Sequence, residues 1–441
     1  RCQNETTNLP VLFHIHGGGF TSGSGDYFDP LFFMDECIVY VSINYRLGAL
    51  GFITTQDGVL PGNLGLKDAL LALKWTNQHI ENFRGDKNSI TITGISAGGI
   101  SVSHFLASPA AKGLFQRVIA QSGSSLTPFI QKDPKKNAIK LGELVGCTNE
   151  DSVALKSCLE SKTIKELISN QDKLKTWVID LERLVPVVEP EDAIEPFQTE
   201  DPYLRIKRGE GSRVPLITGV TKDEGILLNA YVTLNTKPAL EELNSKWYEI
   251  APIIYLYDHL NMTDEERNGI SDKIKNFYLG GKPVGPETSQ GFIDSESDRN
   301  FNFGSWEEAS LHSKYAPVYH YSLNFKGNYS NVFQFLGLRE VAVSHGHDTQ
   351  FFYKTPDAPL PEPGSDRLRF SENVIKLWTS FIKTGVPTDV YPNVHTWENF
   401  NPQHPSTLIL DLPAENAKDY KLERMKFWSN LNLRKLEFPG V

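Results

Sequence analysis

The chain has 441 residues, a formal net charge of −10 and an ordinary globular composition, with 39% hydrophobic and 22% charged residues. That is enough chain for a sizeable core in one large or two modest domains. The acidic balance contains no basic run, which argues against a nucleic-acid partner and a polybasic membrane anchor, and no uninterrupted apolar run is long enough to span a bilayer.

Residues 1–9 form a short polar lead without a signal-peptide pattern, and a strand pattern begins at once at Pro10-Val11-Leu12-Phe13. Either the mature chain starts abruptly there or an N-terminal portion precedes it. Val11 to His16 reads as a buried strand ended by Gly17-Gly18-Gly19. Three glycines in a row are unfavourable in any regular element, so a close backbone approach is expected there. Ile38 to Ile43 is a second strand. Leu64 to Phe83 carries Leu66, Ala69, Leu70, Leu73 and Ile80 at helical spacing.

The β-branched run Ile90-Thr91-Ile92-Thr93 then leads straight into Gly94-Ile95-Ser96-Ala97-Gly98, and Ile100, Val102, Phe105 and Leu106 follow as a helix. A strand, a Gly-x-Ser-x-Gly turn and a helix are the context of a nucleophile elbow, with Ser96 at the tip of a sharp, strained turn. The pentapeptide alone also suits an ordinary strand-to-helix turn. Arg117 to Gln121 is another strand, ended by Ser122-Gly123. Alternating strands and helices predict an α/β fold with a mostly parallel sheet and crossover helices.

From Pro134 to about Leu184 the pattern is helical and polar, which reads as a cap-like insertion near 134–200. Val214 to Gly219 returns to strand and leads into Lys222-Asp223-Glu224-Gly225. A second helical insertion spans about 236–315. Pro317 to Leu323 is a late strand, followed by a segment with Ser344-His345-Gly346-His347-Asp348. A surface loop at 355–367, a helix around Val374 to Lys383 and a last strand, Thr407 to Leu410, complete the chain. Without an internal repeat or a linker, residues 1–441 are expected to form one domain.

Cys147 and Cys158 bracket a polar, helix-like loop and are the expected disulfide. Cys37 lies beside the apolar run Ile38-Val39-Tyr40-Val41, which favours a buried free thiol, and Cys2 has no evident partner. Glycosylation sequons begin at Asn4, Asn261 and Asn328. Together with a disulfide they predict a secreted glycoprotein. No His or Cys pair has metal-ligand spacing, so neither metal nor cofactor is expected.

Ester hydrolysis through serine needs an activated hydroxyl, a neutral imidazole, a carboxylate to orient it and N–H donors for the oxyanion. In hydrolases with a nucleophile elbow the order along the chain is Ser, acid, His. Ser96, Glu224 and His345 satisfy it, each after a strand. Asp223 is the rival acid and His347 the rival base. His14 and His16 alternate along a strand, and neither is needed as base.

Several long motifs occur in order: His16-Gly17-Gly18-Gly19-Phe20, Asn44-Tyr45-Arg46-Leu47-Gly48, Pro61-Gly62-Asn63-Leu64-Gly65-Leu66-Lys67-Asp68, Phe83-Arg84-Gly85-Asp86, Gln121-Ser122-Gly123-Ser124 and Trp378-Thr379-Ser380-Phe381. With the elbow and Lys222-Asp223-Glu224-Gly225, they make the chain resemble the type-B carboxylesterase/cholinesterase family from residue 10 to about residue 400. The details are most similar to insect esterases. The resemblance implies the α/β-hydrolase fold, Ser96 as nucleophile, Glu224 as acid, His345 as base, and oxyanion N–H groups from Gly18, Gly19 and Ala97. It also implies a structural ion pair between Arg46 and Asp68, and the Cys147–Cys158 disulfide. Two departures stand out. Ile95 replaces the Glu that cholinesterases carry before the serine. The family's N-terminal edge strands are absent, and their loss is expected to expose a sheet edge.

The resulting expectation is a secreted serine carboxylesterase that takes a small-molecule ester. A cholinesterase-like adhesion or binding protein is the alternative from another class, and a slow esterase that sequesters its ligand is a third. A lipase is disfavoured because no amphipathic lid pattern is visible.

Overall fold

The computed structural model describes residues 8–131, 133–175, 177, 184–330, 342–356, 358–391 and 394–437. Cys2 and Asn4 lie outside them. Strands β1 (Leu9–Ile15), β2 (Val39–Ser42), β3 (Gly85–Ile95), β4 (Arg117–Gln121), β5 (Leu216–Thr221), β6 (Val318–Leu323), β9 (Ser406–Leu410) and β10 (Glu415–Lys418) form one sheet in the order β10-β9-β6-β5-β4-β3-β1-β2. Every neighbouring pair is parallel except β9 with β10. A separate antiparallel pair, β7 (Thr388–Tyr391) and β8 (Val394–Thr396), lies outside the sheet.

The central strands are apolar on both faces because helices cover both. Side chains alternate across the pleat. Val11, Phe13, Ile15, Ile90, Ile92, Val118 and Ala120 therefore enter one core, with Leu66, Leu70 and Leu73 of the helix Leu64–His79 and Phe105 of the helix Ala97–Ala107. Leu12, Ile95, Ile119 and Ile217 enter the other, with Phe370, Val374, Trp378 and Phe381 of the helix Asp366–Thr384. A third cluster is built by helices between β5 and β6 together with the late helix Leu422–Asn430, around Trp247, Tyr255, Tyr257, Phe292 and Trp428.

Connectivity places the functional ground. From β1 the chain goes outward to β2, then crosses to β3 on the other side of β1 and proceeds outward through β4, β5 and β6. Between β1 and β3 the order reverses. In open α/β sheets the crevice at the carboxyl ends of strands at such a switch point is where ligands bind. The triglycine leaves β1 there, and Ser96 leaves β3.

Two sequence expectations need correction. Thr407–Leu410 is not the last strand: β10 follows, a polar edge strand (Glu415-Asn416-Ala417-Lys418) with no apolar alternation to announce it. Cys37 is disulfide-bonded rather than a free thiol, with its partner outside the described residues. It is half-buried and caps the short helix Leu31–Glu36 in a left-handed conformation, before β2 begins. Cys147 and Cys158 are joined. No helix among the described residues is long and apolar enough to cross a membrane.

Candidate active site

Ser96 stands between the last residue of β3 and the first of the helix Ala97–Ala107, with φ 60° and ψ −126°. A side-chain-bearing residue adopts such a conformation only where its surroundings enforce it. They do so here by hydrogen bonds and by glycine. The Ser96 N–H donates to the Gln121 carbonyl at 2.9 Å, and the Ser96 carbonyl accepts from the Ile100 N–H at 2.9 Å. A Cβ on Gly98 would lie 2.0 Å from the Ile15 carbonyl oxygen, and one on Gly94 would lie 2.3 Å from that of Gly98. Strand and helix can meet this closely only without those side chains.

Glu224 and His345 are brought together by an isolated bridge just beyond the end of β5. Asp223 forms a parallel bridge with Ser344, and its N–H donates to the Val343 carbonyl at 2.9 Å. The next residue of each segment is then Glu224 and His345. Glu224 is fully buried. Its Oε1 accepts the Thr221 N–H at 2.6 Å, and its Oε2 lies 2.6 Å from His345 Nδ1. His345 Nε2 lies 2.7 Å from Ser96 Oγ. The three side chains thus form a continuous hydrogen-bonded line.

The triglycine packs on the serine turn from β1. A Cβ on Gly17 would be 2.5 Å from the Ile95 carbonyl oxygen and 3.1 Å from Ser96 Cβ. Gly18 and Gly19 have φ of 118° and 59°, in the region that favours glycine. Ala97 is the first helical residue, and N–H groups of a first helical turn have no intrahelical acceptor.

Against known proteins, the model of the carboxylesterase family matches residues 1–428. The chain is 36% identical over 388 residues to Esterase FE4 of Myzus persicae, covering 86% of this chain and 67% of that relative. It is 34% identical over 440 residues to Venom carboxylesterase-6 of Apis mellifera, with 97% and 77% covered. It is 32% identical over 465 residues to the Juvenile hormone esterase of Tribolium castaneum, with 96% and 78% covered. The chain belongs to the carboxylesterase family. It has that family's α/β-hydrolase fold and is a carboxylic ester hydrolase.

The other residues singled out in this carboxylesterase fall into place around the line. Asp223 is not part of the line: its Oδ1 accepts from Gln290 Nε2 at 3.3 Å. His347 is buried, with Nε2 3.0 Å from the Lys326 carbonyl oxygen. Burial pulls it down to about 4. His14 and His16 are buried in the sheet layer, and His14 is pulled down to about 3, first by burial and then by His16. Arg46 and Asp68 make a two-point ion pair at 2.7 and 2.8 Å. Asn261 and Asn328 are both exposed. Among the described residues no cluster of His, Cys, Asp or Glu is placed to hold a metal ion.

Two neighbours of the line escaped the sequence reading. Phe301 stacks on the His345 ring with centroids 4.5 Å apart and planes 28° apart. Asp348 is fully buried and accepts from Gln121 Nε2 at 3.3 Å. Burial, and then the Glu224 charge, push its carboxyl up to about 7. Neither position has a periodicity or motif that marks a contact made across the fold.

Proposed function

We propose that the chain is a serine carboxylesterase in which Ser96 is the nucleophile, His345 the general base and acid, and Glu224 the orienting carboxylate. The observation that carries this reading is the continuous Ser96–His345–Glu224 line, with 2.7 and 2.6 Å between its partners. His345 Nε2 takes the Ser96 Oγ proton as Oγ bonds to the ester carbonyl carbon. The carbonyl oxygen becomes an oxyanion facing the N–H groups of Gly18, Gly19 and Ala97. Collapse breaks the bond to the alcohol oxygen, which leaves with the proton from Nε2. Water then loses a proton to Nε2 and attacks the acyl-enzyme. The acid is released, and the proton returns to Ser96 Oγ. Glu224 holds the Nδ1–H throughout and stabilises the imidazolium.

The chain also reads as a single domain, with the helices near 134–200 and 236–315 as cap-like insertions. The Cys147–Cys158 disulfide and the exposed sequons at Asn261 and Asn328 favour a secreted glycoprotein.

One peptide map tests these assignments. A fluorophosphonate probe is expected on the Ser96 peptide, and on nothing in Ser96→Ala, which keeps its fold and loses ester turnover. In the same map of material from a secretory host, the Asn261 and Asn328 peptides are expected to carry glycan mass. A folded chain that takes no label would reject Ser96 as the nucleophile and the mechanism built on it.

A further inference from the structure

The His345 imidazole is held in its own plane by two hydrogen bonds, to Ser96 Oγ and to Glu224 Oε2. Its face is covered by Phe301. Phe301 is 2% exposed and packs in a cluster with Val220 and Leu228. The Phe129 ring meets it at 5.7 Å and 67°.

Phe301 is not on an ordinary helical turn. Asp298–Asn302 is π-helical, between the α-helices Ser289–Ser297 and Phe303–His312. A π turn takes up one residue more than an α turn, which re-aims the side chains beyond it by about 100°. Its geometry is fixed from outside the site. Asp298, fully buried, accepts from Tyr278 Oη at 2.7 Å, from Asn302 Nδ2 at 2.6 Å and from Arg424 Nη2 at 2.7 Å. Arg424 Nε pairs with the same carboxylate, and Arg424 lies in the helix Leu422–Asn430. Arg299 Nε donates to the Tyr255 carbonyl at 2.7 Å. The turn is therefore clamped by three other segments of chain, and Phe301 is delivered face-on to the imidazole.

Only one of the two hydrogen bonds lasts through the reaction proposed above. Once Ser96 is acylated, Oγ is an ester oxygen with no proton to give, and the tie between Nε2 and Ser96 is lost. During deacylation the ring is held by Glu224 on one edge and by whatever lies on its face. We infer that Phe301 is a positioning residue for His345 that acts chiefly in deacylation, keeping Nε2 aimed at the attacking water while Ser96 cannot. This inference rests on the Ser96–His345 mechanism proposed above.

The test is stopped-flow hydrolysis of p-nitrophenyl acetate by the full chain and by Phe301→Ala, Phe301→Leu and Phe301→Tyr, each checked by thermal melting. Phe301→Leu keeps apolar volume without a flat ring and decides the matter if the Ala variant does not fold. For Ala and Leu, kcat is expected to fall about tenfold or more, part of the 10²–10⁴ that general acid–base catalysis supplies. KM should fall with it, kcat/KM should change by less than about threefold, and a burst of acyl-enzyme should precede the slow steady state. Phe301→Tyr, which keeps the ring, should recover most of kcat. A raised KM with kcat intact would make Phe301 a wall of the substrate pocket and overturn the inference. So would kcat and kcat/KM falling equally, or no change at all. Turnover surviving in Ser96→Ala would instead remove the underlying mechanism, an outcome visible without any Phe301 variant.

Discussion

Glu224 has both carboxylate oxygens committed, one to the Thr221 N–H and one to His345 Nδ1, each at 2.6 Å. Replacing it by glutamine keeps the size of the side chain and leaves an amide oxygen for one of these partners. In the mechanism proposed above it removes the charge that stabilises the imidazolium and sets an amide where the imidazole tautomer is chosen. Glu224→Gln is therefore expected to lower kcat by about 10³–10⁴, the scale seen when a triad acid is replaced by its amide, with a melting temperature close to that of the parent. An unchanged kcat would shift the acid role elsewhere. Ile95 shows the same locality in reverse. Where cholinesterases place a glutamate beside the serine, this residue is 2% exposed and packs in the core with Ile119 and Ile217.

At the scale of elements, the strand–turn–helix around Ser96 is a tight junction of the sheet. Gly98→Ala would press a methyl group to 2.0 Å from the Ile15 carbonyl oxygen, and backbone cannot rotate away as a side chain can. Overpacking of this kind typically costs about 1–3 kcal/mol. The variant should unfold at lower denaturant and lose most esterase activity, because β1 carries the triglycine. This junction was legible in the sequence because its constraint is local: a β-branched run, two glycines and an apolar helix lie in one stretch. Six of the eight sheet strands were legible for a similar reason, as apolar runs bounded by turn residues, and β2 was legible to within a residue at each end. What escaped depends on distant partners. β10 is polar and is a strand only because β9 offers it an edge. The bonded state of Cys37 depends on a partner that lies outside the described residues. Phe301 acquires its meaning from His345, and Asp348 from Gln121 and Glu224, whose segments meet them only in the fold.

Across the whole molecule, buried titratable groups set opposing pH limits. His14 and His320 are pulled by burial from 6.5 to about 3, and His104 to about 4. As pH falls below 6.5 the unfolded chain takes up these protons and the native chain does not, so stability falls with acidification toward those values. Glu296 is pushed by burial from 4.5 to about 8, and Glu308 to about 7. Between pH 4.5 and those values the native chain holds protons that the unfolded chain has released, so stability falls as pH rises. The two effects oppose each other between 4.5 and 6.5. Of these five groups, only the carboxyls titrate above 6.5 and only the histidines below 4.5. Calorimetric melting temperatures are expected to decline from pH 6.5 to pH 8.5 and again below pH 4.5. Glu296→Gln should flatten the alkaline limb, and a melting temperature that climbs steadily to pH 8.5 would contradict this account.

Ser96 and His345 are 249 residues apart in the chain, and Ser96 and Glu224 follow β3 and β5, two strands of a mostly parallel sheet with β4 between them. Parallel pairing closes large loops before any contact rewards it, which makes assembly slow. During synthesis the serine turn emerges long before its base, and β9, which flanks β6, emerges later still. In the mechanism proposed above, the serine is therefore an inert hydroxyl for most of the time the chain is being made. In refolding, recovery of ester turnover should trail the recovery of helical signal, and the lag would time the closing of the last sheet contacts.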